Sequence, residues 1–180
     1  MQMDHSDIEL MERISKGDQQ AFATLVNRHL PKANAIARRT LTQNQDIEEA
    51  LQDSFNKVWV NAKKFNSKKA SFGTWFYRIL VNTCIDMVRR STPYQKDSED
   101  AVEMMEDTEP LADQLISEQA ESEKIKDAVQ SLPEKQRIAI VLCYFEEMSN
   151  KEAAQIMEIN IKALEGLLVR ARKTLKGLLG

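Results

Sequence analysis

The residues best suited to chemistry in this chain are cations and aromatic rings that alternate in one short segment. Four lysines stand close together: Lys63, Lys64, Lys68 and Lys69. Aromatic side chains are interspersed and follow directly: Phe65, Phe72, Trp75 and Phe76. Cations hold phosphates while rings stack on unpaired bases, at roughly 1–3 kcal/mol per base. The pattern favours single-stranded nucleic acid as a ligand, although Phe72, Trp75 and Phe76 would equally suit a hydrophobic core.

A polar stripe extends this segment along the helix predicted after it. Its members recur at helical spacing: Trp75, Arg78, Asn82, Asp86 and Arg89. They lie roughly opposite an apolar side formed by Phe76, Leu80 and Met87. Asparagine and arginine side chains can hydrogen-bond to base edges. The stripe therefore indicates a surface that reads bases, with Trp75 belonging either to that surface or to the core.

No enzyme motif accompanies these residues. The sequence contains no glycine-rich phosphate loop, no HExxH and no nucleophile elbow. The acidic pair Glu48-Glu49 diverges around a helix axis and fits a solvated face better than a catalytic dyad. Cys84 and Cys143 lack partners at zinc-ligand spacing, so both are predicted to be buried small hydrophobes. The sequence predicts neither an enzyme nor a metal or cofactor.

Charge is distributed unevenly along the chain. The 180 residues carry a net charge of −3, but the segment from Ser91 to Asp127 alone carries −9 and leaves +6 for the rest. Two mildly basic blocks flanking an acidic one are typical of nucleic-acid contact. No apolar run approaches a membrane span, and the N-terminus does not resemble a signal peptide, so a cytoplasmic location is expected.

The first block reads as four helices. A capping box at Ser6 starts the first, and the second begins near Asp18. Pro31 should kink or divide that second helix. Asn44 and Ser71 are the predicted N-caps of the third and fourth.

The second block reads as a helix-turn-helix. A helix starts at Leu132-Pro133, with proline in its first position, and a capping box at Ser149 opens a short helix. A tight connection over 158–160 leads to a final helix with these residues inward: Leu164, Leu167, Leu168, Ala171, Leu175 and Leu178. Many helical hairpins share this pattern.

The predicted fold class is all-α, with two small helical domains joined by an acidic linker. The first domain spans residues 1–92. A flexible acidic linker with partial helix spans 93–127, a helix resuming around 112–130, and the helix-turn-helix domain spans 128–180.

Four segments in register resemble extracytoplasmic-function (ECF) sigma factors, the smallest class of the sigma-70 family. Residues 70–86, ASFGTWFYRILVNTCID, resemble the second conserved region, and residues 46–59 resemble its polymerase-binding helix. Residues 132–137 resemble the entry to the fourth region, and residues 168–175 resemble the end of its recognition helix. Together they cover nearly everything outside the linker and termini.

The resemblance implies a function for each segment. In the family, the third helix docks on the clamp helices of the largest subunit of RNA polymerase, and the flap is a further contact. The matching positions are Glu48, Glu49, Gln52, Asp53 and Asn56. The −10 promoter element would contact Phe65, Lys63, Lys64, Lys68, Lys69, Ser71, Trp75, Arg78, Asn82, Arg89 and Arg90. The −35 element would contact Lys162, Glu165, Gly166, Val169, Arg170 and Lys173.

Partners implied by the resemblance are core RNA polymerase, promoter DNA and an anti-sigma factor. The family often has basic or small hydroxyl residues where Glu165, Gly166 and Leu167 stand, so the chain departs from the family pattern at these three positions. The acidic linker would thread towards the RNA exit path, or serve as a plain tether. Two other readings remain open from the residues: an operator-binding helix-turn-helix regulator, and a protein-binding helical adaptor.

Overall fold

The computed structural model describes residues 5–91 and 119–180, and in these ranges the chain is helical without any strand. The first block contains α1 (Asp7–Ile14), α2 (Gln19–Thr40), α3 (Asn44–Asn61), a 3₁₀ turn (Ala62–Lys64) and α4 (Phe72–Ser91). The second contains α5 (Gln119–Ser131), α6 (Glu134–Ile140), a π-helical segment (Val141–Phe145), α7 (Asn150–Met157) and α8 (Ile161–Leu179). The all-α prediction is confirmed.

Local signals determine where most of the first-block helices begin. The Ser6 hydroxyl accepts from the Glu9 amide at 3.3 Å, while the Glu9 carboxylate accepts from the Ser6 amide at 2.8 Å. The Ser71 hydroxyl accepts from the Thr74 amide at 3.1 Å and caps α4. Both predicted caps are confirmed because each needs only residues three apart.

One prediction for this block is wrong. Asn44 is the first residue of α3 and not its cap; Gln43 occupies the cap position without a side-chain bond. Pro31 does not divide α2, which runs through it from Gln19 to Thr40, so a kink is the part of that prediction that stays open. Pro31 and Asn27, four residues before it, are both exposed.

The core of the first block brings the inner faces of α1 to α4 together. Phe76 is its centre, with no exposed surface and with the Phe55 ring centroid 4.7 Å and the Phe72 centroid 5.6 Å away. Cys84 is fully buried there, as predicted, whereas Cys143 in the second block is only half-buried.

The second block follows the predicted helix-turn-helix with small shifts. Pro133 stands at the N-cap, one position before the first residue of α6. The Ser149 capping box is confirmed, and Asn160 caps α8 by accepting from the Ala163 amide at 2.8 Å. Leu178 was predicted inward but is 55% exposed, because the last turn of α8 extends past the apolar contacts that bury Leu175.

The two blocks pack against each other. Helix α7 lies on α4, α6 contacts both α2 and α4, and α5 and the π-helical segment also contact α2. Of the predicted acidic linker, residues 93–118 lie outside the described residues, and α5 covers its last positions from Gln119. No helix among the described residues is long and apolar enough to cross a membrane.

Candidate nucleic-acid interface

The lysine-rich loop between α3 and α4 has a defined backbone. Asn66 organises it: its side-chain oxygen accepts from the Lys68 amide at 3.0 Å, and its carbonyl accepts from the Lys69 amide at 3.0 Å. Lys63, Lys64, Lys68 and Lys69 are all exposed. None of the four forms an ion pair with any residue in the described part of the chain. Their charges are therefore available to an external anion.

The aromatic residues of the loop and α4 form one cluster at the edge of the core. Phe65 and Trp75 are half-buried, with ring centroids 5.3 Å apart, and Phe72 lies about equally close to both, at 6.0 and 6.1 Å. Trp75 was predicted to belong either to the core or to the surface. It packs against the core and keeps part of its side chain exposed. The cluster attaches the loop to α4.

The polar stripe on α4 contains both exposed residues and residues that bond to the second block. Asn82, Asp86 and Arg90 are exposed. Arg78 instead donates from Nη2 to the Gln155 carbonyl at 3.1 Å and pairs through Nη1 with Glu158 at 3.4 Å. Ser71, also predicted to contact DNA, is exposed and caps α4.

Arg89 resembles Arg78 in this respect. It pairs with Glu134 of α6 at 2.9 Å, through both Nε and Nη2. Two of the predicted DNA-binding cations are therefore paired with carboxylates of the second block. Sequence reasoning missed Glu134 and Glu158 because a pairing between distant segments leaves no local signal.

Helix α3 presents a polar face away from the core. Glu48, Glu49, Gln52 and Asn56 are exposed, while Ile47 and Phe55 on the other side are buried. Asp53 is half-buried and pairs with Lys57 at 2.8 Å. The face therefore offers two unpaired acids, Glu48 and Glu49, together with neutral hydrogen-bonding groups.

The predicted recognition helix α8 turns its polar residues outward. Lys162, Glu165 and Lys173 are exposed, and Gly166, Val169 and Arg170 are partly exposed. An Arg170 Nη1 atom lies 3.6 Å from where a side-chain carbon on Gly166 would stand, an ordinary van der Waals distance. Internal packing therefore does not require glycine at this position.

Two partly buried connections join the helices that carry these surfaces. His29 on α2 lies between the Asp7 carboxylate, 2.9 Å from Nε2, and the Tyr77 hydroxyl, 3.2 Å from Nδ1, so that α1, α2 and α4 meet. Burial raises the pKa of Tyr77, and the carboxylates of Glu146 and Asp7 add to that rise. In the second block, Arg172 bonds to the Tyr144 hydroxyl and joins α8 to the π-helical segment. The part of the chain that the structure describes holds no cluster of three metal-ligating side chains.

Comparison with known families agrees with this geometry. The sigma-70 region 2 model matches residues 25–94, which cover most of α2, α3, the lysine loop and α4. The sigma-70 region 4 model matches residues 122–175, from α5 into α8. The region 2 match contains the polar face of α3, the lysine loop and α4, and the region 4 match contains α7 and most of α8.

Similar proteins cover nearly the whole chain. The ECF RNA polymerase sigma factor SigW of Bacillus subtilis is 31% identical over 92% of this chain and 92% of its own length. The sigma-E factor of Haemophilus influenzae is 30% identical over 95% of this chain and 94% of its own length. CnrH, solved in complex with the cytosolic domain of CnrY, has a TM-score of 0.70 and 26% identity over 96% of each chain. RpoE of Bartonella quintana, solved with the anti-sigma factor NepR, has a TM-score of 0.66 and 25% identity over 88% of this chain and 96% of its own.

The two family matches, over residues 25–94 and 122–175, place this helical bundle and helix-turn-helix among the DNA-binding proteins of the transcription machinery. The chain belongs to the ECF sigma factors of the sigma-70 family and is an RNA polymerase sigma factor.

Proposed function

We propose that this sigma factor docks on core RNA polymerase through α3, captures the −10 element with the lysine loop and α4, and reads the −35 element with α8. The observation that carries the proposal is the unpaired cationic loop that leads into α4, the helix whose outward stripe contains the exposed Asn82. Polyanion contact and base contact would thus be available on one continuous surface.

At the −10 element, the proposed contribution is capture of a non-template base that has left the duplex. Phe65, Lys69, Ser71, Arg78 and Asn82 would surround that base, and Trp75 would lie on the same surface. Phosphates would be held by Lys63, Lys64, Lys68, Arg89 and Arg90. Unstacking a base costs a few kcal/mol, and binding the extruded base offsets that cost and stabilises the open bubble. The protein does no chemistry on the base.

At the −35 element, α8 would enter the major groove. Lys162, Arg170 and Lys173 would contact DNA phosphates and base edges, and Glu165 would accept from a cytosine amine. Gly166 would allow Val169 and the helix backbone to approach the groove closely. The short helix α7 would cross the DNA backbone, as the first helix of a helix-turn-helix does.

For core polymerase, the proposed contact is the polar face of α3, with Glu48, Glu49, Gln52, Asp53 and Asn56 meeting a basic surface. Unpaired carboxylates favour such a partner and steer its approach. We further propose that the protein acts in the cytoplasm with polymerase, in a stress or envelope response under an anti-sigma factor. The complex of RpoE with the anti-sigma factor NepR supports that last point.

The experiment is transcription in vitro with purified core polymerase on a pooled promoter library, comparing Asn82→Ala with Asn27→Ala. Asn27 is an exposed asparagine inside α2, so the control makes the same chemical change outside the lysine loop and α4. We expect initiation to require the chain and to fall roughly tenfold with Asn82→Ala, the effect of losing about 1.4 kcal/mol of base contact. Asn27→Ala should leave initiation unchanged.

Absence of initiation with every variant would contradict the proposal. Tight binding of the chain alone to a specific duplex would then favour an operator-binding regulator. If the two variants support equal initiation, Asn82 does not contact the −10 element.

A further inference from the structure

The outward surface of α8 begins with an apolar residue. Ile161 is the first residue of the helix and is 45% exposed. Ile159, two positions earlier, is half-buried and packs against the core, so the chain keeps one isoleucine in and turns the next one out. Single exposed apolar side chains are common on protein surfaces, and exposure by itself assigns Ile161 no role. Its position and its surroundings are more specific.

The start of α8 does not call for an isoleucine. The cap is supplied by Asn160, whose side-chain oxygen accepts from the Ala163 amide at 2.8 Å. The positive end of a helix favours acidic residues in its first turn, yet α8 has none there. A β-branched apolar side chain at Ile161 adds nothing to the cap, and the turn that holds it carries no charge that would repel DNA phosphates.

Ile161 lines an open groove between α7 and the beginning of α8. The groove has a volume of about 810 Å³. Its lining combines apolar side chains with two exposed cations, one from each helix: Ala154, Ile159, Ile161 and Ala163, with Lys151 and Lys162. Phosphates flank the base edges of a duplex, so cations beside an apolar surface suit a base edge that carries an apolar group.

The chemistry of the major groove identifies that group. Residues at the beginning of a recognition helix reach base edges. The base edges in the major groove present hydrogen-bond donors and acceptors, and the C5-methyl of thymine is their apolar group. Isoleucine has no donor or acceptor, so against a polar edge it would leave that edge without a partner. Glu165 follows one turn later on the same side of α8, about 6 Å along the axis, or less than two base-pair steps of about 3.4 Å.

We propose that Ile161 reads the methyl group of a thymine in the −35 element, within two base pairs of the cytosine that Glu165 would contact. The inference rests on the proposed −35 role of α8 and adds a specificity-determining residue to it. Lys162 and Lys151 hold the phosphates on either side, while Ile161 excludes water from the methyl group. The contact favours thymine over uracil, which has the same hydrogen-bonding groups without the methyl.

The test uses this chain bound to core polymerase, on a promoter selected from the pooled library. Each thymine of the −35 element is replaced in turn by deoxyuridine, which removes one methyl group and leaves every hydrogen bond. Ile161→Ala is compared with Ile8→Ala, a matched change at a 47% exposed isoleucine in the first turn of α1. Competition measured by fluorescence anisotropy at one salt concentration gives the ratio of affinities for the thymine and deoxyuridine promoters.

We expect one thymine position at which deoxyuridine weakens wild-type binding roughly fourfold, the effect of losing one buried methyl group. Ile161→Ala should bind the two promoters equally at that position, and Ile8→Ala should keep the fourfold ratio. Ile161→Val, which retains a branched apolar side chain, should keep most of it. Because each ratio is measured within one protein, a variant that is partly unfolded loses affinity for both promoters and leaves the ratio unchanged.

Two results would overturn the role of Ile161 and leave the −35 role of α8 intact. A fourfold ratio that persists in Ile161→Ala would assign the methyl contact to another residue. Deoxyuridine without effect at every position in wild type would mean that no methyl group is read. If scrambling the whole −35 element leaves the affinity of the polymerase complex unchanged, the proposed −35 role of α8 is wrong instead.

Discussion

The Arg137 guanidinium donates from Nη1 to the Thr40 carbonyl oxygen, 2.7 Å away, and so joins α6 to the C-terminal end of α2. That carbonyl belongs to the last turn of α2, where helical partners are lacking and the helix dipole is negative. Nη2 of Arg137 donates to the Leu132 carbonyl at 3.0 Å. Burial lowers the pKa of Arg137, while Glu134 partly offsets that effect.

We expect Arg137→Ala to lower the free energy of unfolding by about 1.5–3 kcal/mol, the range for hydrogen bonds to a charged group. Arg137→Lys should recover only part of this loss, because an ammonium group cannot reproduce the fork that reaches Thr40 and Leu132 together. Urea denaturation followed by circular dichroism measures both. Equal stability of Arg137→Ala and wild type would show that the bridge contributes nothing.

Substitution of Gly166 should change protein stability and DNA binding in opposite directions. Gly166→Ala should raise the free energy of unfolding by about 0.5–1 kcal/mol, because alanine favours a helix interior and the added carbon meets Arg170 at an ordinary distance. If α8 lies close to DNA at this position, the same change should weaken −35 recognition. Thermal unfolding and footprinting of the polymerase complex on promoter DNA test the two effects. Gly177→Ala, near the end of α8, is the control that should only stabilise. If Gly166→Ala still protects the −35 element fully in footprinting, α8 does not lie close to DNA at this position.

The Glu146 carboxylate should lower the free energy of unfolding at neutral pH but not in mild acid. Burial raises the pKa of Glu146, although Arg39 and Lys32 oppose the rise. A carboxyl with a raised folded pKa contributes stability that is present at low pH and is lost as pH rises through that pKa. We therefore expect Glu146→Gln to match wild type in acid and to exceed its unfolding free energy at neutral pH.

Chemical denaturation across that pH range measures the difference between the two proteins. Glu147→Gln, at the exposed neighbouring position, should show no such divergence. Loss of stability at neutral pH in Glu146→Gln would mean that the ion pair with Arg39 outweighs the cost of burial.

The two thiols should react slowly and in a fixed order. Burial raises the pKa of Cys84 to about 12 and that of Cys143 to about 11, which leaves little of the reactive thiolate at neutral pH. Cys143 is half-buried and should be labelled first by an aromatic disulfide reagent; Cys84 should be labelled only on unfolding. Cys143→Ser should abolish the faster phase. A fast phase that survives this substitution would contradict the burial of Cys84.

Features decided within one helical turn were predictable from the sequence. The caps at Ser6, Ser71 and Ser149 depend on a hydroxyl and an amide three residues apart, so neighbouring residue types decide them. The exposed lysine loop and the outward face of α8 follow from charge and from the 3.6-residue period. The family itself was predictable because its signature segments are contiguous.

Tertiary structure decided what distant residues do to one another. Pro31 lies inside α2 at an exposed position, and Leu178 is exposed because the last turn of α8 extends past the residues that bury Leu175. Arg78 and Glu158 are separated by 80 positions, and neither has a local signal for the other. The sequence alone therefore determined which charged, polar and aromatic groups the chain carries and which helices carry them. Only packing of α7 on α4 decided which of those groups are paired within the chain, because such pairing depends on distances through space rather than on spacing along the chain.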